Sequence, residues 1–142
     1  MGDVTRDGGV LDGFRVGYVP DGVGDEVSDF ATEWEDIHFA SRFWERQTPD
    51  GYRADLRVHV LRGERLTDLE ALRTFLADYH ERDPDGWRLT EFQHEDGPGL
   101  MDDAQAFWSA EPGVAVNVLV DPEQVDREEL LAVARAIAAR RG

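Results

Sequence analysis

Four histidines, His38, His59, His80 and His94, are the side chains best suited to acid–base or metal chemistry near neutral pH. Their spacing assembles no centre by itself, since the chain has no H-E-x-x-H, no H-x-H and no facial-triad pattern. Ser28, Ser41 and Ser109 stand outside the G-x-S-x-G and S-x-x-K contexts that activate a hydroxyl. The chain holds no cysteine, which removes thiol nucleophiles, thiolate metal sites and disulfides, and no lysine, which removes Schiff bases and the Walker-type phosphate loop. Asp21, Asp25, Glu26 and Asp29 crowd one acidic stretch, but their intervals fit neither an EF-hand nor a nonapeptide calcium roll. Among 31 acids a close carboxylate pair of the glycosidase kind arises by chance and carries no information. The expectation is therefore no catalytic residue, no metal and no cofactor.

Binding is the chemistry the residues suggest more directly. Two apolar runs, 39–46 and 53–62, flank the turn 47–52 and read as a hairpin. With Arg46 opposite Arg53, Phe43 faces Leu56, Ser41 faces Val58 and Phe39 faces Val60, so one face is apolar. The other face then sets Trp44 against Asp55, Arg42 against Arg57 and Ala40 against His59. Trp44, Arg42, Asp55, Arg57 and His59 would form an aromatic and arginine patch, the composition of binding hot spots. The alternative is a Trp44 covered by the amino-terminal segment or by a helix. Trp34, Trp87 and Trp108 sit in strand patterns and read as core.

The elements that must position these residues are legible in outline. Residues 1–12 are rich in Gly and Asp and read as a flexible lead-in, leaving 13–142 as one α+β domain. Phe14, Val16 and Tyr18 alternate as a strand ended at Pro20-Asp21-Gly22, and an acidic loop to Asp29 precedes an extended stretch over 31–36. Thr67 and Glu70 have capping-box spacing before Leu69, Leu72, Phe75, Leu76 and Tyr79, which predicts a helix over 67–82. Asp126 and Glu129 repeat the device for a helix over 126–141, with Val125 and Leu130 as a hydrophobic staple and Arg140 and Arg141 complementing its dipole. A strand over 87–94, a Gly-Pro-Gly loop at 97–99 and a second hairpin turning at Glu111-Pro112-Gly113-Val114 lie between them. Pairing Ala110 with Ala115 puts Phe107 opposite Val118, and both faces of this hairpin are apolar enough to make it central. The expected fold is an antiparallel sheet of about six or seven strands packed by these two helices.

Charge narrows the partners. All 15 basic residues are arginine and the net charge is −16, which argues against a nucleic-acid partner. Hydrophobic residues at 41% are a globular share, and no run approaches the apolar length of a membrane span. No secretory leader pattern opens the sequence, so a cytoplasmic protein without a membrane partner is expected.

GFRVGYVPDGV, ADLRVHVLRG before a helix, AQAFWSAEPGVAVNVLV and the closing EELLAVARAI together resemble small actinobacterial domains of unknown function, of the lipoprotein and anti-sigma-factor ectodomain type with a PsbP-like fold. The resemblance implies a non-catalytic binding or regulatory module and supplies no catalytic residues. The expected function is thus a module that engages a protein partner or itself through an exposed sheet face or edge. A small-molecule binder or enzyme with a pocket between the sheet and the 69–79 helix is the alternative, and an acidic inhibitor or immunity-type protein for a basic partner is a third reading.

Overall fold

The computed structural model describes residues 7–83 and 85–139. Two short strands, β1 (Gly9–Leu11) and β2 (Phe14–Val16), pair with one another and precede a three-strand meander, β3 (Glu26–Trp34), β4 (Ile37–Thr48) and β5 (Gly51–Arg62). Helix α1 (Leu69–Tyr79) carries the chain across to the far edge, where β6 (Thr90–His94), β7 (Gly97–Met101), β8 (Gln105–Glu111) and β9 (Val114–Val120) run back until β9 pairs with β5. The result is a seven-stranded antiparallel sheet in the order β3-β4-β5-β9-β8-β7-β6. After α2 (Arg127–Arg135), β10 (Ile137–Ala139) joins β2 in a separate three-stranded sheet. This is the α+β architecture expected, and the β8–β9 hairpin is central to it. Among the described residues, no helix is long and apolar enough to cross a membrane.

Both faces of the large sheet are covered. On one side α2 and the small sheet bury Trp44, Leu56, Val58, Val60, Trp108, Val116 and Val118. On the other, α1 packs Leu72, Phe75 and Leu76 onto Ile37, Phe39, Leu61, Phe107 and Ala115, which fills the space between helix and strands. Burial of this kind contributes about 25 cal/mol per Å² of apolar surface and is the main stabilising term.

Several boundaries differ from the sequence reading. Gly9–Leu11, within the expected lead-in, is a strand with Leu11 buried, while residues 1–6 lie outside those described. The acidic loop ends sooner than expected because β3 starts at Glu26 and runs unbroken through the stretch around Trp34. Glu35 and Asp36 then turn with positive φ, as a tight antiparallel connection requires. Asp68, not Thr67, caps α1, accepting from the Ala71 N–H at 2.8 Å; Asp outcompetes Thr for that place. Helix α1 ends at Tyr79 and the next strand starts at Thr90, three residues later than expected. The Gly-Pro-Gly stretch is strand β7, tolerated because Pro98 pairs with β6 alone and the β8 ladder begins at Gly99. Gly99 is required there, since a Cβ would stand 2.4 Å from the ring of Phe92.

Helix α2 starts on the Asp126 cap as expected, with the Glu129 N–H donating to it at 2.8 Å. It stops at Arg135, short of 141, because residues 137–139 give their backbone groups to β2 and bury Ile137. Arg140 and Arg141 lie outside the described residues.

Candidate functional site

Arg46 does oppose Arg53, but Asp55 is an extra residue in β5, a bulge that shifts every later pair by one. Trp44 therefore faces Leu56, Arg42 faces Val58, Ser41 faces His59 and Phe43 faces Arg57. A one-residue slip turns each side chain to the other face of its partner strand, and the expected patch comes apart. Trp44 is 3% exposed in the core. The amino-terminal segment covers it so closely that a Cβ on Gly8 would lie 3.1 Å from its Cζ2.

Arg42 shares that face, donating from Nε and Nη2 to the Asp29 carboxylate and from Nη1 to the Gly8 carbonyl. This pairing raises Arg42 above and lowers Asp29 below their ordinary pKa ranges, the hydrogen-bonded charges being the leading cause in each. Asp55 is fully buried and accepts from the Gly24 N–H at 2.9 Å and Arg46 Nε at 3.0 Å. It ties the Pro20–Asp25 loop to the bulge and touches no surface. Arg57 and His59 lie on the opposite, α1 face.

There they meet groups the sequence did not link to them. Ser41 Oγ and His59 Nδ1 are 2.6 Å apart, and Phe43 sets its ring edge-on to His59 with centroids 5.9 Å apart. Arg57 stands over the Phe43 ring at 5.7 Å. Asn117 donates to Gln105 Oε1 and the Ala106 carbonyl, and His80, just past α1, has a buried Nε2 that makes no hydrogen bond among the described residues. Burial first, then the charges of Arg57 and His80, press His59 down to about 4, so its imidazole is neutral at pH 7. Burial and Arg82 lower His80 as well, against a side-chain interaction with Asn117 and the charge of Asp102. Burial lowers Arg57, with the Tyr79 phenol opposing it.

This arrangement binds more readily than it reacts. The Ser41–His59 pair resembles a nucleophile and base, yet both residues are buried and no described acid orients the imidazole. Among the described residues, no group of three or more His, Asp or Glu is placed to hold a metal ion. His94 is structural, its Nε2 bonded to the Ile137 carbonyl, its Nδ1 accepting from the Asp96 N–H, and its ring stacked on Trp108. His38 is exposed on β4.

The α1 face runs out to β3, and the two ends of the sheet differ. At the β6 end Arg135 Nε donates to the Gln93 carbonyl and His94 is tied to β10, so this five-residue edge is partly occupied. At the β3 end nine consecutive residues present an outer edge that pairs with no described strand. Phe30 and Val27 stand on it 48% and 52% exposed, one on each face.

No family model, curated protein or solved structure matches this chain.

Proposed function

We propose that this chain is a non-enzymatic interaction module that associates with a second copy of itself by pairing β3 with β3 across a twofold axis. The carrying observation is the open nine-residue edge with its exposed Phe30 and Val27. Such an edge offers a full row of unsatisfied N–H and C=O groups, and strand addition satisfies them.

Charge and full overlap of the nine residues, of which Phe30 is the middle one, select the register. With the axis perpendicular to the sheet, opposed residues share a face, so the pairing centres on one residue. Centring on Asp29 sets carboxylate against carboxylate, and centring on Ala31 sets Asp29 against Glu33. Centring on Phe30 seats Asp29 opposite Ala31, Glu33 opposite Val27 and Glu26 opposite Trp34, with no like charges directly opposed. The two seven-stranded sheets would then continue as one.

The resemblance of the sequence to small actinobacterial domains of unknown function, which implies a non-catalytic binding module, supports this reading over an enzyme. A chain without cysteine depends on no oxidising compartment, and we assign it to the cytoplasm. Light scattering over a range of concentration tests the association: the wild type should move from monomer toward twice the monomer mass, and Phe30→Asp should raise the dissociation constant about tenfold or more. A strict monomer at every concentration, or a dimer untouched by Phe30→Asp, would refute the assignment.

A further inference from the structure

Arginines in this chain find carboxylates easily. Arg15, Arg42, Arg46, Arg53, Arg62 and Arg127 each pair with an aspartate. Arg65, Arg73 and Arg135 donate to backbone carbonyls, and Arg82 lies over Trp87. Arg57 is half-buried, and among the described residues its guanidinium has neither a hydrogen bond nor a carboxylate partner; it stands over the Phe43 ring and feels the Tyr79 phenol. A desolvated cation without a counter-charge is costly, and 31 acids elsewhere leave this place positive.

The surroundings have the same sign. His59 and His80 both feel Arg57 as a repelling charge, and Arg82 adds to the field at His80. The acid nearest in effect, Asp102, is committed elsewhere: it accepts from Trp87 Nε1 and from the Ala104 and Gln105 N–H groups. Among the described residues the buried Nε2 of His80 makes no hydrogen bond, a second polar position left unsatisfied at this corner. Apolar surface lies beside Arg57, whose guanidinium stands over Phe43, and Phe43 meets Phe30 with ring centroids 5.0 Å apart.

We infer that this corner binds a small organic carboxylate, gripped by the Arg57 fork and by His80 Nε2–H, with its apolar body on Phe43 and Phe30. A guanidinium suits an oxyanion because its parallel N–H groups match two oxygens, and an adjoining aromatic surface selects an anion with an apolar part. Binding couples to protons, because an anion beside His59 and His80 offsets the repulsion that lowers them. Arg82 and Asp102 are the other charged groups that bear on His80, while the Tyr79 phenol bears on Arg57 and its ring lies 5.2 Å from that of His80. The site shares Phe30 with the β3 edge but takes its charged groups from β5 and from the end of α1, so strand pairing at β3 and carboxylate binding are tested by different variants.

Benzoate is the probe, and the imidazole resonances of the full chain are the readout. Saturating benzoate should raise the apparent pKa values of His80 and His59 by about one unit relative to sodium chloride at equal ionic strength. R57Q should abolish that shift, and H80Q should weaken benzoate about tenfold while Arg57 stays in place. Imidazoles that benzoate leaves unmoved, or moves equally in R57Q, would overturn the site. Inorganic phosphate moving them where benzoate does not would overturn the organic carboxylate as its ligand.

Discussion

Phe30 on the open edge strand meets Phe43 on its neighbour edge-to-face, with ring centroids 5.0 Å apart and planes at 64°. The contact carries an exposed aromatic from the sheet edge to the Arg57 corner. In a dimer centred on Phe30 it would become a continuous strip, Phe43–Phe30–Phe30–Phe43, across the axis. On the opposite face the same pairing gathers Asp29 and Glu33 of both copies, with Arg42 neutralising each Asp29. Two chains of net charge −16 also repel at long range.

Salt should therefore strengthen self-association. Raising ionic strength from about 0.01 M to about 0.15 M shortens the screening length from about 30 Å to about 8 Å, and the dissociation constant should fall over that range. Sedimentation equilibrium at the two salt levels checks this. A dimer that weakened with salt would mean that attraction between opposite charges, not backbone pairing at the edge, holds it.

Trp44 should matter to folding and not to association. Trp44→Ala opens a cavity among Leu56, Val16 and the segment over it and should cost about 3–5 kcal/mol in urea unfolding. Trp44→Phe, a milder change, should leave the mass in solution as it is. A Phe variant that folds but no longer associates would return the interaction surface to Trp44.

Asp55 holds the bulge that sets the whole register. Asp55→Ala removes the acceptor that the Gly24 N–H and Arg46 Nε share and should cost about 2 kcal/mol or more, whereas Asp55→Asn keeps an acceptor for Gly24 and should cost less. Gly24 admits no compensating shift, since a Cβ there would stand 2.0 Å from the Glu45 carbonyl oxygen. Equal stability of the two variants in urea melts would show that the carboxylate does not pin the loop.

His59 sets the direction of one pH dependence. Its folded pKa, pressed to about 4 from 6.5, means that the unfolded chain takes up a proton the folded chain refuses. The stabilising contribution is complete above pH 6.5, declines as pH falls and is lost near pH 4, an amount of about 3 kcal/mol. His80 is shifted the same way and adds to the trend. Urea unfolding across that window should show the wild type losing stability more steeply than His59→Gln. Parallel curves would contradict a buried, neutral His59.

The sequence carries the antiparallel sheet, the two helices and the turn ends of both hairpins, because alternation, caps and Pro-Gly are local signals. It does not carry the bulges. Arg46 meets Arg53 and Glu111 meets Val114, as the turns dictate, and then Asp55 and Ala110 each insert one residue. Apolar matching cannot detect such a slip here because both faces of the sheet are covered, so Trp44 and Phe43 are equally plausible as core. A buried carboxylate in the middle of an apolar strand is the one hint that Asp55 offered. The Arg57 corner was hidden for a related reason: Ser41, His80 and Asn117 come from three segments, and the helix that brings His80 over the sheet has no local mark of where it lands.

Cross-linking at a single introduced cysteine tests the central pairing most directly, because the native chain has none to compete. Centred on Phe30, the dimer brings position 30 of both copies side by side, whereas the two copies of position 32 lie four residues apart along the strands, about 13 Å, beyond the reach of a disulfide. Under mild oxidation Phe30→Cys should form a covalent dimer rapidly at low protein concentration, and Thr32→Cys should not. Failure of Phe30→Cys to cross-link, or equal cross-linking at both positions, would contradict the β3 pairing.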